Sequence, residues 1–285
     1  MLQYAKKKAL PESSVETMID TETEPALREQ VFFLSDPPLP DVKLVLCQPR
    51  VKPNGIGIVI CPGGGYSLLS TSFEGYEIAE WLGEYGITSA VLHYSMGHHP
   101  EPMKQAQQAI CILRAHAEEF GLRPDRIGIM GFSAGGHVAS TVATHIRVAN
   151  PNGRTLEEQV SSRPDFQILI YPVITMGKLT HSGSRDNLLE PDPSPALVDR
   201  LSNEKQVTPN TPPAFVCHSI MDSVVSVENS RMYVAALQQN GVPVEYLELS
   251  KGNHGFGGGC GSHWKSWQGV CLRWLAGLYP ELKIG

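Results

Sequence analysis

Apolar and polar positions along this chain fall into blocks whose period switches between strand and helix values. Residues 31–34 (Val-Phe-Phe-Leu) and 42–47 (Val-Lys-Leu-Val-Leu-Cys) flank a proline-rich turn and predict an antiparallel hairpin. Residues 57–61 (Gly-Ile-Val-Ile-Cys) form a continuous apolar run, the mark of a strand buried on both faces. Residues 74–85 repeat at helical spacing through Ile78, Ala79, Trp81 and Leu82, and stop at Gly86. A strand is predicted over 87–94. A long amphipathic helix follows over 102–120, with Ala106, Ala109, Ile110, Leu113 and Ala117 on one face. Next come a strand near 127–131 and a helix running to about 149. Further strands are expected within 165–174, at 213–218 and at 244–249, with helices at 227–239 and 264–278. Between them, 175–212 reads as irregular, apart from a short helix at 195–201. Alternating strand and helix implies a mostly parallel sheet with helices on both faces, an α/β fold. Residues 1–28 are polar and mixed. They read as an arm in front of a single catalytic domain over 29–285, packed on the body or on a second subunit of a homo-oligomer.

With 285 residues and 41% hydrophobic content, the chain can bury one large core. The net charge of −6 and the lack of a basic block argue against a nucleic-acid partner; Lys6-Lys7-Lys8 is too short to act as a binding arm. No apolar stretch is long enough to span a membrane. Residues 1–10 lack the apolar core of a secretory leader. The six cysteines are scattered without a Cys-x-x-Cys pair, so they read as reduced thiols in a cytoplasmic protein.

The chemistry gathers where strands end. Residues 127–140 read as an apolar run, a tight Gly-x-Ser-x-Gly around Ser133, then small residues at helical spacing. That context turns a bare motif into a nucleophile elbow, in which Gly131, Ala134 and Gly135 let the helix start close to the strand. An ordinary strand-to-helix turn with a chance serine has the same local pattern, so the rest of the chain must decide. Asp222 follows the strand at 213–218, with no rival carboxylate on its loop. His254 follows the last strand, and Pro62-Gly63-Gly64-Gly65-Tyr66 follows the 57–61 strand. Ligand-contacting groups of an open α/β sheet collect at these carboxyl ends. The order Ser, Asp, His is that of α/β hydrolases. A serine hydroxyl needs a base, histidine supplies one near neutral pH, and a carboxylate fixes the imidazole tautomer. The N–H groups of Ala134, Gly64 and Gly65 are candidates to hold an oxyanion. His218 and His93 read as supporting residues, and His98, His99 and His116 lack metal-ligand spacing. Residues 257–259 (Gly-Gly-Gly) match no phosphate loop and read as a mobile loop.

These motifs resemble a known family. Cys-Pro-Gly-Gly-Gly-Tyr at 61–66, Gly-Phe-Ser-Ala-Gly-Gly-His at 131–137, His-Ser-x-x-Asp-x-x-Val at 218–225 and His-Gly-Phe-Gly at 254–257 are similar to those of α/β-hydrolase esterases grouped as acetylxylan esterase-like, near the hormone-sensitive-lipase relatives. Pro-Asp-Arg-Ile at 124–127 fits the same pattern. The resemblance implies Ser133, Asp222 and His254 as a catalytic triad, Gly64, Gly65 and Ala134 as the oxyanion hole, and no metal or organic cofactor. Related lipases carry His-Gly-Gly-Gly where this chain has Pro62-Gly63-Gly64-Gly65. The acid loop has Met221 and Ser226 where relatives often have an acid and a proline.

The expected activity is a serine carboxylesterase that releases short acyl groups, acetyl first, from xylose-containing saccharides. A feruloyl or aryl esterase, a formamidase or a peptidase could use the same triad, because specificity lives in the loops near 66–75, 175–210 and 255–264. A non-catalytic binding relative is a third reading, opposed by the intact motif set. Tyr66 and Trp264 are candidates to line the site or stack on a sugar. Phe132 and Trp267 read as core.

Overall fold

The computed structural model describes residues 28–34, 39–258 and 263–284. The arm at 1–28, apart from Arg28, lies outside the described residues, as do the turn at 35–38 and the end of the 257–259 glycine run.

Eight strands form one sheet: β1 (Arg28–Phe33), β2 (Lys43–Gln48), β3 (Gly55–Cys61), β4 (Thr88–His93), β5 (Leu122–Phe132), β6 (Gln167–Ile170), β7 (Ala214–Ser219) and β8 (Val244–Leu249). Their order is β1-β2-β4-β3-β5-β6-β7-β8. The predicted hairpin is present, with β1 antiparallel to β2 and β2 antiparallel to β4; every later pairing is parallel. The helices are α1 (Glu77–Glu84), α2 (Glu101–Ala115), α3 (Ser133–Thr144), α4 (Ser182–Leu188), α5 (Pro195–Arg200), α6 (Glu228–Gln239) and α7 (Trp264–Leu278).

Strand side chains alternate between two cores, as the pleat requires. In β3, Val59 and Cys61 face the layer of α2, α3 and α6, while Ile58 and Ile60 face α1 and α7. In β7, Ala214 and Val216 join the first core, and Phe215 and Cys217 the second. All seven residues of β3 are buried, as the apolar run demanded. Both faces are therefore covered, and the carboxyl ends of β3, β5, β7 and β8 are left to carry loops. This is the α/β-hydrolase fold.

Three helix boundaries differ from the sequence pattern. The second helix ends at Ala115 rather than 120. Beyond it, Leu122 donates its N–H to Ala117 O at 2.7 Å and Gly121 takes φ +67°, which turns the chain into β5. The elbow helix ends at Thr144, not near 149. There the backbone leaves to bond 158–162: Arg147 N–H reaches Ser162 Oγ at 2.8 Å, and Ser162 N–H reaches Arg147 O at 3.0 Å. The helix expected from 74 begins at Glu77, preceded by a wider turn at Ser72–Tyr76.

The five described cysteines, Cys47, Cys61, Cys111, Cys217 and Cys271, are free and buried. Among the described residues no helix is long and apolar enough to cross a membrane.

Candidate active site

Ser133 sits where β5 passes directly into α3. Phe132 is extended (φ −115°, ψ 134°), and Ser133 is forced to φ +53°, a region that a residue with a side chain rarely adopts. The turn closes because its neighbours are small. A Cβ on Gly135 would stand 2.1 Å from Cys61 O, and one on Gly131 would stand 2.2 Å from Gly135 O. Side chains at either position would push α3 off the sheet. The first-turn N–H groups of α3, Ala134 included, have no helical carbonyl to bond and carry the positive end of the helix dipole.

The three predicted residues meet. His254 Nε2 lies 2.8 Å from Ser133 Oγ, and His254 Nδ1 lies 2.7 Å from Asp222 Oδ2. The Asp222 side chain is fully buried, and that of His254 is 18% exposed, so the imidazole is the part of the relay that faces the opening. Burial works against charge on Asp222. Hydrogen bonds from His218, His254 and the Val225 N–H outweigh it and hold the carboxyl well below the usual carboxylate range. An ionised Asp222 requires the proton on His254 Nδ1, which leaves Nε2 free to accept the Ser133 hydroxyl proton.

Several residues that the sequence did not single out complete this geometry. Asn253 Oδ1 accepts from Ser223 N–H at 3.1 Å, Ser223 Oγ–H at 2.9 Å and His254 N–H at 2.9 Å, tying the histidine loop to the acid loop. Asp222 Oδ1 accepts the N–H groups of Val224 and Val225, each at 2.9 Å. His218 supports the acid, as the sequence suggested. Its Nε2 is 3.1 Å from Val225 O and 3.3 Å from Asp222 Oδ2, while Nδ1 accepts from Ser230 Oγ at 2.7 Å. Tyr171, at φ +39°, lays its ring 4.8 Å from the His254 ring.

The glycine turn after β3 is pinned through its carbonyls. Gly63 O accepts from Ser70 N–H, Gly64 O from Ser67 and Leu68 N–H, and Gly65 O from Asn187 Nδ2 at 2.8 Å. The Gly63 N–H donates to Glu74 Oε2 at 2.8 Å. Among the described residues no hydrogen bond engages the N–H of Gly64 or Gly65. Gly64 holds φ +136°, and a Cβ there would lie 2.0 Å from Leu68 O. Only glycine fits this loop.

Helix α4, absent from the sequence reading, roofs the turn. His181 Cε1 and Ser184 Oγ come within 4.0 and 3.9 Å of where a Gly65 Cβ would stand. Ser184 N–H donates to His181 Nδ1 at 3.2 Å. That places the proton of the neutral ring on Nε2. Burial, then the charge of His254, pushes the His181 imidazole below its usual range, so the ring is neutral at pH 7.

Two expectations fail. Tyr66 does not line the site: it is 1% exposed, its backbone turns inward at φ +60°, and its hydroxyl bonds His137 Nδ1 at 2.7 Å. Trp264 does not stack over the site either. As the first residue of α7 it packs edge-to-face on Trp81 and Trp267, each at 5.6 Å. The groove it lines lies between α1 and α7 and contains none of Ser133, Asp222 or His254. Phe132 and Trp267 are core, as read. His93 bonds Tyr76 and His116 caps α2, both away from the relay. Among the described residues no three ligands gather for a metal.

The pattern of the BD-FAE family matches residues 57–237. Acetylxylan esterase of Xylanibacter ruminicola is 35% identical over 222 residues, covering 75% of this chain and 44% of that protein. Endo-1,4-beta-xylanase B of Butyrivibrio fibrisolvens is 34% identical over 218 residues, covering 74% and 34%. The chain thus spans less than half the length of these two relatives. The crystal structure of the acetyl ester-xyloside bifunctional hydrolase from Caldicellulosiruptor lactoaceticus superposes with a TM-score of 0.81 at 34% identity, covering 95% of this chain and 98% of that one. With its strand order, serine elbow and glycine turn, the chain belongs to the BD-FAE family of α/β hydrolases.

Proposed function

We propose that this chain is a serine carboxylesterase that removes short acyl groups, acetyl first, from xylose-containing saccharides through an acyl-enzyme. The observation that carries the reading is the continuous line from Ser133 Oγ through His254 to the buried Asp222, at 2.8 and 2.7 Å. Ser133 Oγ attacks the ester carbonyl carbon and gives its proton to His254 Nε2. The carbonyl oxygen takes the negative charge and is held by the N–H groups of Ala134, Gly64 and Gly65. Collapse of this intermediate breaks the bond to the alcohol oxygen, which leaves with the proton from Nε2. Water then attacks the acyl-Ser133 with the same base, releasing the acid and restoring the hydroxyl. General-base transfer of this kind contributes about a hundredfold to ten-thousandfold, and each oxyanion donor about a hundredfold or more. Asp222 stays ionised throughout and stabilises the imidazolium.

The substrate class is supported by the roof of the site and by the relatives. The neutral His181, with Ser184 and Asn187 of α4, stands over the glycine turn. Ser184 and Asn187 spend their donors on His181 Nδ1 and Gly65 O, which leaves the His181 Nε2–H, a polar group that suits a saccharide alcohol better than a long acyl chain. Hydrolysis rates on p-nitrophenyl acetate, butyrate and octanoate, beside acetyl release from acetylated xylo-oligosaccharides, test the reading. It predicts acetate preference and acetyl release. A rate that rises with chain length contradicts the short acyl pocket, and preference for feruloyl esters or amides contradicts the substrate class.

A further inference from the structure

The ester-hydrolysis mechanism makes no use of a buried carboxylate beside the serine. Glu74 is 3% exposed, in the turn that precedes α1. Its Oε2 accepts the Gly63 N–H at 2.8 Å, and its Oε1 accepts the Tyr171 hydroxyl at 2.7 Å. Both partners border the reacting groups. A Cβ on Gly63 would lie 2.7 Å from Glu74 Oε2 and 2.9 Å from Ser133 Cβ, so a single glycine separates the carboxylate from the serine. Tyr171 carries the ring that stands 4.8 Å from His254.

We propose that Glu74 is a positioning residue: its carboxylate locks the glycine turn and the Tyr171 ring together, setting the Gly64 and Gly65 donors and the His254 imidazole relative to Ser133. The proposal rests on the serine-esterase reading above. Burying a carboxylate is unfavourable unless it is well bonded. A turn that needed only an acceptor for Gly63 N–H could use a neutral amide. The carboxylate offers two acceptors at once, one to each half of the site. It is also rigidly mounted. Glu74 N–H bonds Ser70 O, and Ser70 N–H bonds Gly63 O, so the loop from 63 to 74 is closed by its backbone as well as by the side chain. Gly75 presses on β4, where a Cβ would stand 2.9 Å from Val91 Cγ1. Tyr171 is held from the other side through its N–H to Cys217 O at 2.7 Å. The strained φ of Tyr171 is thus fixed at both ends. Burial pushes the Glu74 carboxyl up, against the opposing pull of the Tyr171 hydroxyl, the Gly63 N–H and the charge of His254.

Glu74→Gln keeps the shape and the acceptor for Gly63 but presents an amide N–H to Tyr171, which must turn its hydroxyl round. Tyr171→Phe leaves the carboxylate and removes only the second bond. The test is kcat and KM on p-nitrophenyl acetate for both variants and their combination, with inhibition by phenylboronic acid, whose tetrahedral adduct mimics the intermediate. The proposal predicts a fall in kcat of about tenfold or more at nearly constant KM. It predicts a parallel weakening of boronate inhibition, and a double variant no worse than the poorer single one. If Glu74→Gln does not fold, Tyr171→Phe carries the test alone. A kcat near wild type, a change confined to KM, or losses that multiply in the double variant would overturn it. Full turnover by Ser133→Ala would instead overturn the esterase mechanism beneath it.

Discussion

Among the chains of hydroxyl, imidazole and oxygen in this molecule, two have nearly the same bond lengths. In one, Ser133 Oγ, His254 and Asp222 are joined at 2.8 and 2.7 Å. In the other, Tyr66 Oη lies 2.7 Å from His137 Nδ1, and His137 Nε2 lies 2.8 Å from Leu201 O. The carbonyl of Leu201 can only accept, so His137 carries its proton on Nε2 and accepts from Tyr66. A hydrogen-bonded triplet is therefore no signature of catalysis. The terminal oxygen differs: a carboxylate can stabilise an imidazolium, and a peptide carbonyl does so far less. Access differs too, since His254 reaches the opening while His137 is 0% exposed. Burial, helped by the nearby His145 and His99, drives the His137 imidazole down to about 4, against its bond to Leu201. The same hydroxyl–imidazole unit serves as a proposed proton shuttle in one place and as a neutral core rivet in the other.

Breaking each chain should give opposite phenotypes. Ser133→Ala should lower kcat by about a hundred-thousandfold with unfolding temperature retained, as read by steady-state hydrolysis beside calorimetry. Asp222→Asn keeps the shape but removes the charge and lets the wrong His254 tautomer form. About a ten-thousandfold loss of kcat is expected at neutral pH. Tyr66→Phe strips His137 Nδ1 of its donor in a dry core and should cost about 1–3 kcal/mol in denaturant unfolding, without slowing turnover of the folded enzyme. The wild-type pH profile sharpens the contrast. Folded His137 takes a proton only near pH 4, whereas a free imidazole does so near about pH 6.5. Between those values the unfolded chain binds the extra proton. Stability is full above about pH 6.5 and falls by about 3 kcal/mol as the pH drops to 4, a slope that should lessen in His137→Gln. The smallest effect belongs to the roof: His181→Ala should raise KM several-fold for acetylated xylo-oligosaccharides and leave p-nitrophenyl acetate nearly unchanged.

What the sequence made legible follows from physics that acts locally. Buried strands must be apolar, so 57–61 and 213–218 stood out. The elbow needs small residues around its serine, so Ser133 did as well. Asp222 and His254 were readable because each directly follows a strand. Helix α4 was not: Ser182-Gly183-Ser184-Arg185-Asp186-Asn187-Leu188 has no apolar stripe, and its fold rests on His181 capping Ser184 and Asn187 reaching Gly65. Glu74 looked like an ordinary residue of an amphipathic helix; its role depends on Tyr171, 97 positions away. Tyr66 misled because proximity in sequence to the glycine turn says nothing of direction, which its left-handed backbone reverses. Trp264 misled for a related reason. It follows the histidine loop, but α7 presents it to α1.

The proposed mechanism turns on acylation of Ser133. Rapid quench of the protein with p-nitrophenyl acetate, followed by peptide mass analysis, tests it most directly. One acetyl group is expected on the peptide that holds Ser133, formed in a burst and lost at the turnover rate. No such adduct is expected in Ser133→Ala. Steady turnover with no acetylated peptide, or an acetyl group on another residue, would contradict it.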